Sequence, residues 1–238
     1  MRLLPVLTIL LAAVSPLAAV STVYTVDTTL NGRPIKASAN FTLGNGTVTV
    51  ALSNLLVDPT DIAQVVSAIA FDVSGFDIAS GATLASSSGQ YITIDSDGSY
   101  TLGSTGPMGW AAGWNAVAGV VLMCDICDII GVDGSWPANF LIGPPGSGGL
   151  YSNANSTIAG SHVYNPFLSQ SATFVLQTPG VTSNSRITSV DFSLGPHFGI
   201  EATGDPRIPE PVSFLLVGSG LILAGSIGRF RPLRIGRS

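Results

Sequence analysis

The chain has 238 residues, with 9 Lys and Arg against 14 Asp and Glu, and it is 46% hydrophobic but only 10% charged. Before the C-terminal tail its bases are scattered singly, which excludes the clustered Lys and Arg of a phosphate-binding surface, so nucleic acid is not an expected partner. Gly, Ser, Thr, Ala and Val dominate, a look common among extracellular all-β proteins, and cysteine is limited to Cys124 and Cys127.

Arg2, the apolar run Leu3 to Leu11 and the small residues Ala18, Ala19 and Ser21 form the n-, h- and c-regions of a secretory signal peptide. Residues 1–21 are assigned to it, with cleavage after Ser21 or, alternatively, after Ala19. Its partners are then the secretion translocon and signal peptidase. Between residues 22 and 208 stand four bases (Arg33, Lys36, Arg186, Arg207) and thirteen acids, a net charge of −9. That excess favours solubility outside the cell and leaves divalent cations to be considered.

Val23 to Thr29 is rich in β-branched residues and reads as a strand, followed by Asn31-Gly32, a dipeptide suited to a hairpin turn. Ile35 to Leu43 and Thr47 to Leu52 alternate around Asn45-Gly46, so the first segment is a three-stranded meander. Residues 60–65 read as a loop or as one helical turn that Asp61 or Thr60 can cap, before a strand at 67–74. Tyr91 to Asp95 is a further strand, with a turn at Asp97-Gly98. Residues 103–119 are glycine-rich and irregular, and Pro144 to Gly149 must be a loop. Ala172 to Gln177 and Ser185 to Leu194 are the last strands, the latter with Val190, Phe192 and Leu194 on one face. Residues 201–208 read as a linker. Roughly eight to ten short strands with Gly, Pro and Asn turns predict a single β-sandwich-like domain over 22–203.

Residues 204–238 hold the end of the linker, then Pro209-Glu210-Pro211, an uncharged apolar run over 212–228, and a tail over 229–238 with Arg229, Arg231, Arg234 and Arg237. As a helix the run is roughly 25 Å long, the short end of what spans a bilayer. The arginines place its end in the cytoplasm and everything before it outside. This order resembles the PEP-CTERM sorting signal of exported bacterial proteins. The likeness extends into the body: Asn54-Leu55, Cys124-Asp125-Ile126-Cys127, Gly143-Pro144-Pro145, Tyr151-Ser152-Asn153-Ala154-Asn155 and Asn165-Pro166-Phe167-Leu168 resemble elements of such proteins. The resemblance implies an exosortase-type membrane transpeptidase as partner, transient inner-membrane anchoring, an exopolysaccharide-bearing host, and release to the cell surface. It implies no activity.

Cys124 and Cys127 fit a small structural disulfide, half of a zinc site, or a redox pair. No helix follows to stabilise a thiolate, and Asp125 and Asp128 would raise the thiol pKa values, so the disulfide is favoured. Asp95-Ser96-Asp97-Gly98-Ser99 begins like a calcium loop but has glycine at the wrong place; it and the Asp125, Asp128, Asp133 cluster also fit Asx turns. No cofactor, metal or catalytic residue is assigned. A secreted hydrolase would have to use His162 or His197 as its base. Trp110, Trp114, Trp136, Tyr151 and Tyr164 either cap the core or stack on sugars. The expected function is that of a structural or adhesive surface or matrix protein, with an extracellular carbohydrate-binding module as the alternative.

Overall fold

The computed structural model describes residues 21–106, 109–115, 119–124, 139–160, 164–196 and 201–207. β1 (Ser21–Leu30) and β2 (Arg33–Gly44) form a hairpin in register from Leu30↔Arg33 to Ser21↔Thr42. Its turn is Asn31-Gly32, both with positive φ (49° and 77°), whose backbone twist matches that of the strands. β3 (Thr47–Asn54) follows and pairs back onto β2. Every second residue of β3 is buried, namely Val48, Val50, Leu52 and Asn54, as a strand with one face on a core requires. Cleavage after Ser21 would trim the first residue of β1, whereas cleavage after Ala19 leaves it whole.

Asp61 caps a single 3₁₀ turn, Ile62–Gln64: its carboxylate accepts from the Ala63 N–H, and the Gln64 side chain returns to the Asp61 N–H. β4 (Val66–Val73), β5 (Thr83–Ile94), β6 (Tyr100–Gly106), β7 (Trp110–Asn115), β8 (Gly119–Cys124), β9 (Leu141–Ile142), β10 (Phe167–Gln177), β11 (Ile187–Leu194), β12 (Glu201–Thr203) and β13 (Asp205–Arg207) complete the order. The glycine-rich middle, expected to be irregular, is largely strand: β6 pairs with β5, and β7 with β8. Glycine weakens strand propensity, but ladder hydrogen bonds and the packing of Trp110 on Phe174, with centroids 4.8 Å apart, override it.

The strands join in one sheet, ordered β12-β11-β4-β9-β10-β3-β2-β1-β13, with β5-β6 branching from β10 and β8-β7 from β4. Its two ends are consecutive in the chain. β12 pairs with β11, β13 pairs with β1, and only Gly204 lies between them. The ring of Phe192 and the Cβ of Tyr24 lie 2.8 and 3.3 Å from where a Gly204 Cβ would stand, so a bare backbone is needed at this corner. The sheet therefore returns on itself, and β2 faces β4 across the interior: Phe41 and Phe71 meet edge to face at 5.0 Å. The Tyr24 hydroxyl of β1 donates to the Ile187 carbonyl of β11 at 2.9 Å.

One expectation is corrected here. Residues 201–207 are not a linker but the strands that close the sheet, so the body runs past the expected boundary at 203 to Arg207. Each strand is three residues long, too short for alternation to register. The all-β class holds, but the strands form one hydrogen-bonded sheet. A bulge in β10, with Gln170 at φ 61°, bends that strand so that Leu168 pairs with β9 while the residues from Ser171 on pair with β3.

Candidate functional site

The loops at one end of the body are built from polar residues with scaffold partners. Asn54, at the buried end of β3, donates through Nδ2 to the carbonyls of Gln64 (2.9 Å) and Leu141 (3.0 Å), and its Oδ1 accepts from the Leu56 N–H. Both sides of the amide are used, as burial demands. Asp58 extends the knot: its N–H donates to the Pro144 carbonyl, and its two carboxylate oxygens accept from the N–H and hydroxyl of Ser152 at 2.7 and 2.6 Å. Asn153 donates to the Thr60 carbonyl. The Tyr151 hydroxyl donates to the Gly143 carbonyl at 2.9 Å, and its N–H to the Gly98 carbonyl. Gly98 has φ 87°, and a Cβ there would sit 2.3 Å from the Tyr151 carbonyl oxygen, so the β5–β6 turn docks only as glycine. Asn165 acts as a one-residue strand, accepting from the Ile94 N–H and donating to the Ile94 carbonyl.

Together Asp58, Asp97, Tyr151, Ser152 and Asn155 line an open hollow of about 430 Å³. Burial pushes the Tyr151 phenol well above its ordinary value, with Tyr100 and Asp58 adding to the shift. Hydrogen bonds from the Ser99 hydroxyl and backbone hold Asp97 below the usual carboxylate range. Asp95 to Ser99 is thus an Asx turn, with the Gly98 N–H on the Asp95 carbonyl. Among the described residues no three of His, Cys, Asp and Glu converge as metal ligands. The Ser152 hydroxyl is committed to Asp58 as a clamp. The hollow offers hydrogen-bond acceptors on a rigid frame.

The aromatic residues divide. Trp110 is buried and donates its indole N–H to the Asn139 carbonyl, Tyr151 is buried, and Tyr164 packs on Phe140. These cap the core. Trp114 is 40% exposed. Trp136 lies outside the described residues.

The sorting residues Pro209, Glu210 and Pro211, the run 212–228, and Arg229, Arg231, Arg234 and Arg237 lie outside the described residues, as do His162, His197, Asp125, Asp128, Asp133 and Cys127. Cys124 ends β8, its backbone opposite Trp110. Among the described residues no helix is long and apolar enough to cross a membrane. Four of the body elements that carry the resemblance (Asn54, Gly143-Pro144, Tyr151 to Asn153, and Asn165) do meet at this loop end. Asp58 and Gln64, which complete the knot, were missed; Asp58-Pro59 gave a turn signal but nothing in sequence pointed to Ser152, 94 residues away. Comparisons with family models, with curated proteins and with solved structures return no match.

Proposed function

We propose that this chain is an exported cell-surface or extracellular-matrix protein with a structural or adhesive role. On this reading the signal peptide is removed on export, the run 212–228 anchors the chain transiently in the inner membrane, and an exosortase-type transpeptidase acts near Pro209-Glu210-Pro211. The body is a sandwich-like fold, its two limbs facing each other across one core. The observation that carries the reading is where the sheet ends. β13 stops at Arg207, two residues before Pro209, so a cut near the Pro-Glu-Pro leaves the closed sheet intact. The committed polar groups around Asn54 and Asp58 support a scaffold rather than a reaction centre.

Intact mass of the protein recovered from its own host tests this. The expected product lacks the residues up to Ser21 or Ala19 and everything beyond about Pro211, and gains two hydrogens on reduction of a Cys124–Cys127 disulfide. A full-length C-terminus in the membrane fraction would make the helix a plain single-pass anchor. One observation favours the carbohydrate-binding alternative: the exposed Trp114, beside a carboxylate.

A further inference from the structure

Away from the loop knot, Trp114 borders a second hollow of about 120 Å³, shared with Asp72, Phe76, Ile78 and Gly119. We propose that this slot binds a neutral polysaccharide, the Trp114 indole stacking on a sugar ring and the Asp72 carboxylate accepting from its hydroxyls. The inference goes beyond the scaffold reading and does not depend on C-terminal processing.

The alternation of β7 puts Trp110, Ala112 and Trp114 on one face. Trp110 is buried against Phe174 of the opposite limb, whereas Trp114 stands 40% exposed where that cover ends. Ile78 is 53% exposed and Phe76 packs partly on the core. Together they make an apolar surface left open among the described residues.

The loop carrying Ile78 is held in place before any ligand arrives. The Asp77 N–H donates to the Pro179 carbonyl (2.7 Å) and the Ser74 N–H to the Arg186 carbonyl (2.9 Å), while the Asp77 carboxylate accepts from the Ala79 N–H and the Ser80 hydroxyl. Its backbone at Gly81 runs along the indole edge, a Cβ there standing 3.4 Å from the Trp114 ring. A preformed slot avoids the entropic cost of ordering a loop on binding.

The chemistry selects the ligand. A pyranose ring offers an apolar C–H face bordered by hydroxyls, which suits an indole face with an acceptor at its rim. Among the described residues Asp72 accepts from the Ser189 hydroxyl at 2.9 Å, and a carboxylate accepts about four donors. The net charge of −9 over residues 22–208 disfavours uronate or sulfate chains. A quaternary ammonium would want an aromatic cage, whereas Ile78 is aliphatic.

Affinity electrophoresis of the full chain tests this, run in a polyoxyethylene detergent because sugar-based detergents would compete. The gels contain dextran, laminarin, galactomannan or alginate. At least one neutral polymer should retard the protein and alginate should not. Trp114→Ala should weaken that retardation about tenfold, with Asp72→Asn and Ile78→Ser also weakening it. Leu150→Ser, at the other hollow, should have no effect. In the unaltered chain, the retarding polymer should also protect tryptophan fluorescence from acrylamide, a readout that holds if Trp114→Ala misfolds. Retardation by none of the three neutral polymers, retardation unchanged in a folded Trp114→Ala chain, unaltered quenching, or displacement by tetramethylammonium would each overturn the proposal. The mass of the processed protein is a separate readout, so failure here leaves the scaffold reading standing.

Discussion

Asn54 ties β3 to the turn at Gln64 and to β9 through two hydrogen bonds from its buried amide, whose oxygen accepts a third from the Leu56 N–H. Removing it leaves two carbonyls and an N–H without their partner, and each buried orphan costs about 1–3 kcal/mol. Asn54→Ala should therefore lower unfolding stability by about 2–4 kcal/mol, read from the urea midpoint at unchanged slope; a loss under about 0.5 kcal/mol would mean that water replaces the amide. Tyr151, with Tyr24 and Tyr164, sets the alkaline limit. All three phenols are raised by burial in the folded chain. Their contribution to stability is complete below the unfolded value of about 10 and is lost as pH rises towards the folded values. Stability should thus fall above about pH 10, and Tyr151→Phe should flatten that fall in pH-dependent denaturation. Asp97 works with the opposite sign. Its depressed pKa gives a contribution present above the unfolded value and lost as pH falls through the folded one.

At the scale of elements, the hairpins show which strands are secure and which are open. Among the described residues β6 pairs with β5 alone, and its residues from Tyr100 to Thr105 are exposed, with Leu102 49% accessible. The strand carries neither charge nor proline, the usual protections of an edge. Leu102→Lys should leave stability within about 0.5 kcal/mol and should reduce concentration-dependent association in sedimentation; unchanged association would show that this edge takes no part in it. The β5–β6 turn depends instead on Gly98. Gly98→Ala has to displace the Tyr151 backbone, and a loss of about 1–3 kcal/mol is expected, with Tyr151 fluorescence or ionisation reporting the undocked turn.

For the molecule as a whole, closure depends on seven residues near the C-terminal end of the body. Gly204 passes its N–H to the Val190 carbonyl while β13 covers the edge of β1. A chain ending after Pro211 keeps the whole closed sheet and should melt as the full-length body does. One ending after Thr203 should lose on the order of 1–3 kcal/mol, because β1 becomes a free edge and Tyr24 loses cover. Equal melting of the two truncations would remove β13 from the account of closure.

The local turns and alternating strands were legible because their causes are local. Asn31-Gly32 supplies the positive φ values, Val48, Val50 and Leu52 alternate, and Asp61 caps the turn that the nearby Gln64 side chain completes. The strand character of β6 and β7 was hidden by glycine, and that of β12 and β13 by their brevity. The expected signal peptide and sorting segment, like the acidic balance, rest on composition and order, which the sequence by itself determines. Tertiary structure alone decided that Asp58 meets Ser152, that Asn165 completes the ladder at Ile94, that Trp110 is buried while Trp114 is not, and that residues 201–207 close the sheet. Those outcomes depend on contacts between residues far apart in the chain, where hydrogen-bond partners and burial are set by which strands face each other and not by any neighbour in sequence.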